Sequence, residues 1–539
     1  MKKIKKILTT LLVLNSFMIL NADPQDEDFM NELLDSLSQE EIAEPLKSQK
    51  ELTIIQPAVP LNLDPHTSAY TGEAQVLNSL YEGLFSYNAA TADPEYALAV
   101  EYQTSRDQLF WTFKLRKGAK FSNGKKITAN DIKESWLNLI STPGAYYSSF
   151  LDVIKGAREY RLGKGKREDV AIFAEGDSEL GIELISPISH FPRILCHHAF
   201  AAVDAKDGAY SGPYKLTSYD NSKLCLEKNE YYYNCENVKI KNITILFSDD
   251  ADNNAHLFNN GMAHWITSEC NTRKILDPDS IKFEPLFGTY YFFFKNGNSK
   301  YLTEDVRIAL MDATPWKELR EGSLFPATTL VYPLSGYKQP APLNYTDYAH
   351  AKAMMKRAKK KLGLKEEELI ELTFAIPQGD SIKQAAEILK KSWARVGVKL
   401  NIHVIKSPSY LTSISKTKAD LFIYTWIGDF ADPIAFLELF KSDSSLNESK
   451  WSNKEFDRLL DLANSTSNKE ERFKYLSEAE NILLSSGVII PLTHSIDLNI
   501  INMRELSGWA PNPLDIHPFK NIFFKKTRST FKHGTVAKK

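Results

Sequence analysis

Two carboxylates lie in an apolar and aromatic stretch, YTWIGDFADPIAFLELF, which runs from Tyr424 to Phe440. A buried carboxylate such as Asp429 or Asp432 is costly unless a cation or several hydrogen-bond donors meet it. No lysine or arginine occurs between Ala419 and Phe440. The partner of each aspartate therefore comes either from elsewhere in the chain or from outside the chain altogether.

A second group of chemically active side chains lies in HFPRILCHHAF, which contains His190, Cys196, His197 and His198. Adjacent histidines on a strand point to opposite faces and do not easily share one metal ion. The remaining spacing matches no recognised zinc pattern, so we interpret this segment as a satisfied or surface cluster. The sequence also has no Gly-rich phosphate loop, no G-x-S-x-G elbow, no H-E-x-x-H pair and no paired C-x-x-C. We therefore predict that the protein is not an enzyme and needs no metal or cofactor.

The composition is that of an ordinary globular protein of several domains. The chain has 539 residues, with 66 Lys and Arg against 68 Asp and Glu, and this length predicts two or three domains. A net charge near zero gives the chain no electrostatic reason to bind nucleic acid or an anionic membrane. The basic helix predicted over residues 349–361 is interpreted as a solvated face.

The N-terminus predicts export. A lysine-rich start, an apolar stretch from Ile7 to Leu20 and Ala22 are typical of a signal peptide, residues 1–22. A membrane anchor is the alternative, but the apolar stretch falls short of the ~20 residues that a spanning helix needs. No cysteine near residue 22 could carry a lipid, so we expect a free periplasmic protein. Residues 23–50 are predicted to be an acidic leader with a short amphipathic helix, and residues 525–539 are predicted to be a basic tail.

An exported compartment permits disulfides, and the chain has four cysteines: Cys196, Cys225, Cys235 and Cys270. Cys225 and Cys235 are close enough in sequence to bridge. Spacing alone does not establish this, because four cysteines allow three full pairings.

Apolar periodicity predicts strands that alternate with helices, which is typical of an α/β protein. LFWTFKLRKGAKFSNGK is predicted to form two strands, with turns supplied by Gly118, Asn123 and Gly124. ITANDIKESWLNLI is predicted to be a helix capped by Thr128, with Asp131 completing a capping box. The strand–helix–strand run over residues 369–426 is predicted to form a sheet of its own.

Five segments, in order from residue 51 to 524, resemble the family 5 solute-binding proteins of ABC transporters, in particular the periplasmic oligopeptide-binding proteins. The segments are NSLYEGLF, WTFKLRKGAKFSNGKKITANDIKESW, GPYKLTSYDNSKLCLEKNEYYY, DVRIALMDA and WIGDFADPIAFLELF. The resemblance implies a two-lobed α/β periplasmic-binding-protein fold (type II, cluster C-like) with three domains and a hinge. Domain I would comprise residues 51–75, 200–288 and 489–524, domain II residues 76–199, and domain III, the second lobe, residues 289–488. The hinge crossings would lie at 287–288 and 487–488.

The resemblance also implies a receptor that captures oligopeptides between its lobes and delivers them to a membrane permease as a monomer. In peptide-binding members, the aspartate of a W-x-x-D element pairs with the free amino end of the peptide. Here that element is Trp426 to Asp429, so the missing cation would be the ligand's ammonium group. The alternative is that Asp429 caps a helix, although Asp432, which precedes Pro433, is the better candidate for that cap.

The other site residues follow from the same resemblance. The backbone of Thr425 to Ile427 would pair with an extended peptide, Trp426 would pack on a ligand side chain or in the core, and Gly428 would allow the ligand backbone to approach. Further contacts are implied for two segments and one histidine: Ala69, Tyr70 and Thr71; Thr267, Ser268 and Glu269; and His494.

One departure puts the ligand's carboxyl anchor in doubt, because Ile423 occupies a position where some members carry an arginine. Glu269 could favour a basic side chain, as in cell-wall peptides that contain a diamino acid. The same fold could alternatively bind a nickel complex, heme, a sugar or an opine.

Overall fold

The computed structural model describes residues 51–526, except Ala69, Ser189, residues 407–409 and the side chain of Thr412. The predicted signal peptide, the acidic leader and the tail beyond residue 526 lie outside the described residues. Within the described part, no helix is long and apolar enough to cross a membrane.

The strands, in chain order, are β1 (Glu51–Gln56), β2 (Phe85–Tyr87), β3 (Pro94–Tyr96), β4 (Ala99–Thr104), β5 (Phe110–Leu115), β6 (Ile172–Glu175), β7 (Glu179–Glu183), β8 (Tyr214–Tyr219), β9 (Lys223–Lys228), β10 (Asn242–Phe247), β11 (Trp265–Ile266), β12 (Ile281–Phe294), β13 (Ile370–Pro377), β14 (Val398–Ile405), β15 (Leu421–Ile427), β16 (Ile489–Ile501), β17 (Leu506–Ser507) and β18 (Phe523–Phe524).

The α-helices are α1 (Thr71–Leu80), α2 (Ala129–Ser141), α3 (Ala157–Arg161), α4 (Phe191–Ile194), α5 (Ala251–Asn259), α6 (Glu304–Asp312), α7 (Trp316–Leu319), α8 (Tyr348–Lys361), α9 (Asp380–Ala394), α10 (Tyr410–Ser413), α11 (Ile434–Leu437), α12 (Lys454–Asn464) and α13 (Lys469–Ser485).

One ten-stranded sheet runs through most of the protein in the order β14-β13-β15-β12-β16-β11-β1-β10-β9-β8. The long strands β12 and β16 pair antiparallel, and their register shifts between Pro285 and Thr289. The predicted separate sheet of residues 369–426 was wrong in this respect, because β13, β14 and β15 continue the same sheet through β12. The sequence showed the strands but could not show this pairing, since it depends on strands far apart in the chain.

The register shift coincides with one of the two predicted hinge crossings, at residues 287–288. The other predicted crossing, at 487–488, precedes β16. Residues 489–494 of β16 pair with residues 289–293 of β12, and beyond the shift Ile496 pairs with Pro285 of the same strand. β12 and β16 therefore stay paired on both sides of the register shift. The exact domain boundaries stay a prediction.

A smaller sheet, in the order β4-β5-β7-β6, packs with α2 in the region predicted as domain II. The capping box of α2 is confirmed: the Thr128 hydroxyl accepts from the Asp131 N–H (3.3 Å), and the Asp131 carboxylate accepts from the Thr128 N–H (2.8 Å). The second strand predicted after β5 was wrong, because only a single bridge joins Lys120 and Lys126 there.

The segment predicted as domain II touches the segment predicted as domain III directly. Arg158 pairs with Asp443 at 2.5 Å, and the Phe150 ring packs edge-on against Phe430. These two parts of the chain are therefore in direct contact. All four cysteines are free, so the bridge between Cys225 and Cys235 that the spacing allowed is not formed.

Candidate ligand-binding site

A cavity of about 240 Å³ lies where α1, the end of β15, the turn after α4 and the C-terminal segment meet. The start of α1 and the end of β15 both contribute to its wall. The described residues that line it are Tyr70, Thr71, Ala74, Tyr147, His197, His198, Leu411, Tyr424, Thr425, Trp426, Ile427, Gly428, Asp429, Leu514 and Ile516. Seven of the predicted site residues are among them: Tyr70, Thr71, Thr425, Trp426, Ile427, Gly428 and Asp429.

Asp429 presents a carboxylate that the described part of the chain leaves without a cation. Its Oδ1 lies 3.4 Å from the Tyr147 hydroxyl, and its Oδ2 is enclosed and has no hydrogen-bond partner. Burial raises the pKa of Asp429 to about 7, and the hydrogen bond from Tyr147 only partly opposes that rise. The side chain is therefore held in an unfavourable environment that a positively charged group would relieve.

His197 approaches Asp429 but does not supply the missing charge. Its Nε2 lies 3.6 Å from Asp429 Oδ1, while its Nδ1 accepts from the Ala199 N–H at 3.2 Å. Nδ1 therefore carries no proton, and Nε2 bears the hydrogen of a neutral imidazole. Burial and the neighbouring His198 lower the pKa of His197 well below its usual range.

The two adjacent histidines do not lie on a strand, so the argument that their side chains point to opposite faces was wrong. They follow α4 and enter a short 3₁₀ turn over His198–Phe200, and their ring centroids are 4.0 Å apart. Both rings line the cavity, and both ring nitrogens of His198 lack a hydrogen-bond partner.

Asp432, the other aspartate of the stretch, has its partner within the chain. Arg472 of α13 forms a two-pronged ion pair with it, at 2.6 and 2.8 Å. Burial is the largest single influence and would raise the pKa of Asp432, but the charge and hydrogen bonds of Arg472, together with His190 and the Ile434 N–H, lower the pKa below its usual value. Asp432 Oδ1 also accepts from the Ile434 N–H at the start of α11, so Asp432 rather than Asp429 caps this helix, as predicted. The N-cap position itself is occupied by Pro433.

The backbone of β15 offers hydrogen-bonding groups toward the cavity. The Ile423 N–H donates to the Tyr410 hydroxyl (2.7 Å), and the Ile423 carbonyl lies 3.2 Å from the same oxygen. Ile423 thus directs both backbone groups away from β12. Because these directions alternate along an antiparallel strand, Thr425 and Ile427 direct theirs to the same side. Among the described residues, β13 pairs with β15 only at Leu421, so this edge is left open beyond that point.

Trp426 and Gly428 hold the wall of the cavity in place. The Trp426 side chain is buried, and its Nε1 donates to the Ala435 carbonyl at 2.7 Å. A Cβ on Gly428 would lie 2.6 Å from the Phe287 ring. The predicted reason for this glycine, ligand approach, was therefore incomplete, because packing against Phe287 already requires it.

The other predicted site residues lie elsewhere or use their polar groups within the protein. Ala69 lies outside the described residues. The Thr267 and Ser268 hydroxyls donate to backbone carbonyls, and Glu269 is exposed. His494 Nδ1 lies 3.0 Å from the Thr289 hydroxyl, and the ring is nearly buried. None of these four described residues lines the cavity, so their role as ligand contacts remains a prediction without support from this geometry.

Sequence reasoning missed Tyr147, Leu514 and Ile516, and it interpreted His197 and His198 as a satisfied or surface cluster rather than as part of a ligand site. Leu514 and Ile516 lie in a loop with no periodic pattern, so nothing local indicated a site. The clearest missed signal was the pair of histidines within the otherwise apolar run from Ile194 to Ala202.

Comparison with known proteins agrees with this architecture. An oligopeptide-binding protein OppA of Bacillus subtilis is 26% identical over 513 residues, which cover 89% of this chain and 93% of that protein. The structure of the Escherichia coli murein tripeptide-binding protein MppA superposes with a TM-score of 0.79 at 23% identity, over 89% of this chain and 99% of that one. Haemophilus influenzae OppA in complex with RPPGFSPFR superposes with a TM-score of 0.78 at 20% identity, over the same shares.

Residues 93–448, more than half of the chain, match the family of bacterial extracellular solute-binding proteins, family 5, middle part. The mixed α/β fold and the cavity between lobes are those expected of such a receptor. The chain belongs to the family 5 bacterial extracellular solute-binding proteins.

Proposed function

We propose that this solute-binding protein captures short oligopeptides between its lobes and holds them by their free amino end. One observation carries the proposal: Asp429 Oδ2 is enclosed in the cavity wall with no partner among the described residues. A peptide's α-ammonium group supplies the charge and the N–H donors that this oxygen lacks. Charge-assisted pairs of this kind are strong when water is excluded and the geometry is good.

The peptide backbone would then add to the open edge of β15. The N–H and carbonyl groups of Thr425 and Ile427 face that side, and an extended ligand can pair with them as a further strand. Such recognition does not depend on ligand side chains, which suits a receptor for many sequences. Names of relatives agree: the B. subtilis protein is an oligopeptide-binding protein, and the H. influenzae structure holds RPPGFSPFR.

The site favours short peptides. The cavity of about 240 Å³ is smaller than the roughly 300–1,000 Å³ of most small-molecule pockets. Ile423 is buried at the position where some relatives would carry an arginine. Because its side chain is apolar, it cannot pair with the carboxyl end of a peptide. Lys416 and Lys418 are exposed and lie outside the cavity lining.

The wider setting follows from the family. We propose a periplasmic protein, exported by the signal peptide of residues 1–22, that acts as a monomer and delivers its ligand to an ABC-transporter permease. It performs no catalysis in this role, and it binds no nucleic acid.

Calorimetric titration of ligand-stripped protein tests the proposal. Mixed tripeptides with a free amino end should bind, and their N-acetylated counterparts should bind more weakly by about 2 kcal/mol or more. The Asp429→Asn variant should lose the same preference, whereas Asp443→Asn, outside the cavity, should keep it. Equal binding of free and acetylated peptides would contradict the amino-end anchor, and the material that co-purifies in the cavity would then identify the ligand class.

A further inference from the structure

A second cavity, of about 430 Å³, shares no lining residue with the cavity at Asp429. Its wall comes from residues 149–194, in the region predicted as domain II, and from residues 434–465, in the region predicted as domain III. Aromatic rings separate the two cavities, since Tyr147 of the first stacks on Phe150 of the second at a centroid distance of 6.1 Å. The volume falls within the roughly 300–1,000 Å³ of most small-molecule pockets.

The charged side chains of this second wall are paired, with one exception. Four ion pairs account for all of them except Glu438: Asp152 with Arg161, Arg158 with Asp443, Lys441 with Asp461 and Arg458 with Glu455. Each of these cations therefore already has a carboxylate, and Glu438 is left over.

Glu438 is an enclosed carboxylate without a cation of its own. It lines the second cavity and is 6% exposed. Among the residues that the structure describes, its side chain forms no salt bridge and no hydrogen bond. Burial raises the pKa of Glu438 to about 7, and Lys441 opposes that rise only in part, since its Nζ is held by Asp461 at 2.8 Å. Such a carboxylate is costly until a cation meets it.

His190, in the same wall, does not supply that cation. It is 8% exposed, and its Nδ1 is enclosed with no hydrogen-bond partner in the described part of the chain. Burial lowers the pKa of His190 to about 3, so its ring is neutral. Two polar groups without partners, one of them anionic, therefore line the second cavity.

The apolar part of the wall restricts the shape of a ligand. Six apolar side chains belong to it: Phe150, Val153, Ile185, Ile194, Ile434 and Leu462. A ligand that satisfies both parts carries a positive charge with N–H donors on a short apolar body. We propose that the second cavity binds a small organic amine, with its ammonium group on Glu438.

Such a ligand would touch both segments that form the wall. These segments already meet beside it, because the Ser186 hydroxyl donates to the Asn464 carbonyl at 3.1 Å and the hydroxyls of Ser149 and Ser445 lie 3.0 Å apart. A bound amine would add to these contacts. Because it binds the folded chain, it should also raise the temperature of thermal unfolding.

Calorimetric titration with 2-phenylethylamine tests the proposal. The Asp429→Asn protein is used, so that the peptide site offers the amine no carboxylate. One molecule should bind, and adding Glu438→Gln should weaken binding at least about tenfold. The uncharged analogue 2-phenylethanol should bind at least about tenfold more weakly than the amine. Glu478→Gln, at an exposed glutamate of α13, is the matched control and should leave amine binding unchanged.

A crystal of the unaltered chain grown with 4-bromophenethylamine locates the ligand without relying on the stability of a variant. The anomalous signal of bromine should lie in the second cavity, with the amine nitrogen beside Glu438. Four results would overturn the proposal: no binding, binding that Glu438→Gln leaves unchanged, equal binding of the amine and the alcohol, or bromine only outside the second cavity. Peptide binding is measured separately, so failure here leaves the proposed function untouched.

Discussion

Peptide affinity should depend on pH through Asp429. An ammonium ligand pairs with the carboxylate form, so a proton on Asp429 competes with the ligand. Because burial raises the pKa of Asp429 to about 7, the competing proton is bound below neutral pH and released above it. Affinity should therefore be fully present above pH 7 and decline as the pH falls.

The expected size follows from the titration. With one proton competing at a pKa of about 7, the dissociation constant should rise about tenfold by pH 6 and about a hundredfold by pH 5, relative to its high-pH limit. Calorimetry of a free tripeptide at pH 5 to 7 measures this. In two buffers of different ionisation enthalpy, the heats should also show that binding releases about one proton at pH 6.

Two other groups that line the cavity titrate outside this range, whereas burial raises the pKa of Asp515, which lies between the lining residues Leu514 and Ile516, to about 6. Burial lowers the pKa of His198 to about 3 and raises that of Tyr147 well above its usual range. Burial also raises the pKa of Glu438 and Glu480 to about 7, but neither lines the cavity at Asp429. The Asp429→Asn variant separates them, since it should bind weakly with little dependence on pH. A flat affinity of the unaltered protein from pH 7 to pH 5 would refute the reasoning, as would an unchanged pH profile in the variant.

Two further predictions concern how the site is held. Arg472→Met should lower the free energy of unfolding, measured by urea denaturation, by about 3–5 kcal/mol, because it leaves Asp432 buried without its cation. Arg458→Met, on the exposed face of α12, is the control and should change the free energy of unfolding little. Equal effects of the two substitutions would contradict the role of the Arg472–Asp432 pair. Gly428→Ala should cost about 1–3 kcal/mol in thermal unfolding, because its new Cβ would press on the Phe287 ring, and full stability of that variant would show that the ring has room to move.

The sequence predicted the elements better than their assembly. The α2 helix and its Thr128 cap follow from local chemistry, since both partners of the capping box lie within one turn. The ten-stranded sheet could not be derived in this way, because β12 and β16 meet across a long stretch of chain. The strand predicted after β5 was wrong for a related reason. Apolar and polar residues alternate there, but the only strand-like pairing among the described residues of this segment is the single bridge between Lys120 and Lys126.

The site shows the same division. The apolar stretch with its two aspartates indicated that cations were missing, and resemblance to the family pointed to Asp429. The sequence could not tell which aspartate is served from within the chain, because Arg472 lies on a distant helix. Nor could it place His197, His198 or Leu514 in the wall, since these come from separate segments that only the fold brings together.

A crystal structure with a bound tripeptide would test the central claim most directly. The account predicts the peptide's α-nitrogen about 2.7–2.9 Å from Asp429 Oδ2, with the ligand backbone hydrogen-bonded to Thr425 and Ile427. A peptide whose amino end lies away from Asp429, or a cavity that binds a ligand without an amine, would contradict it.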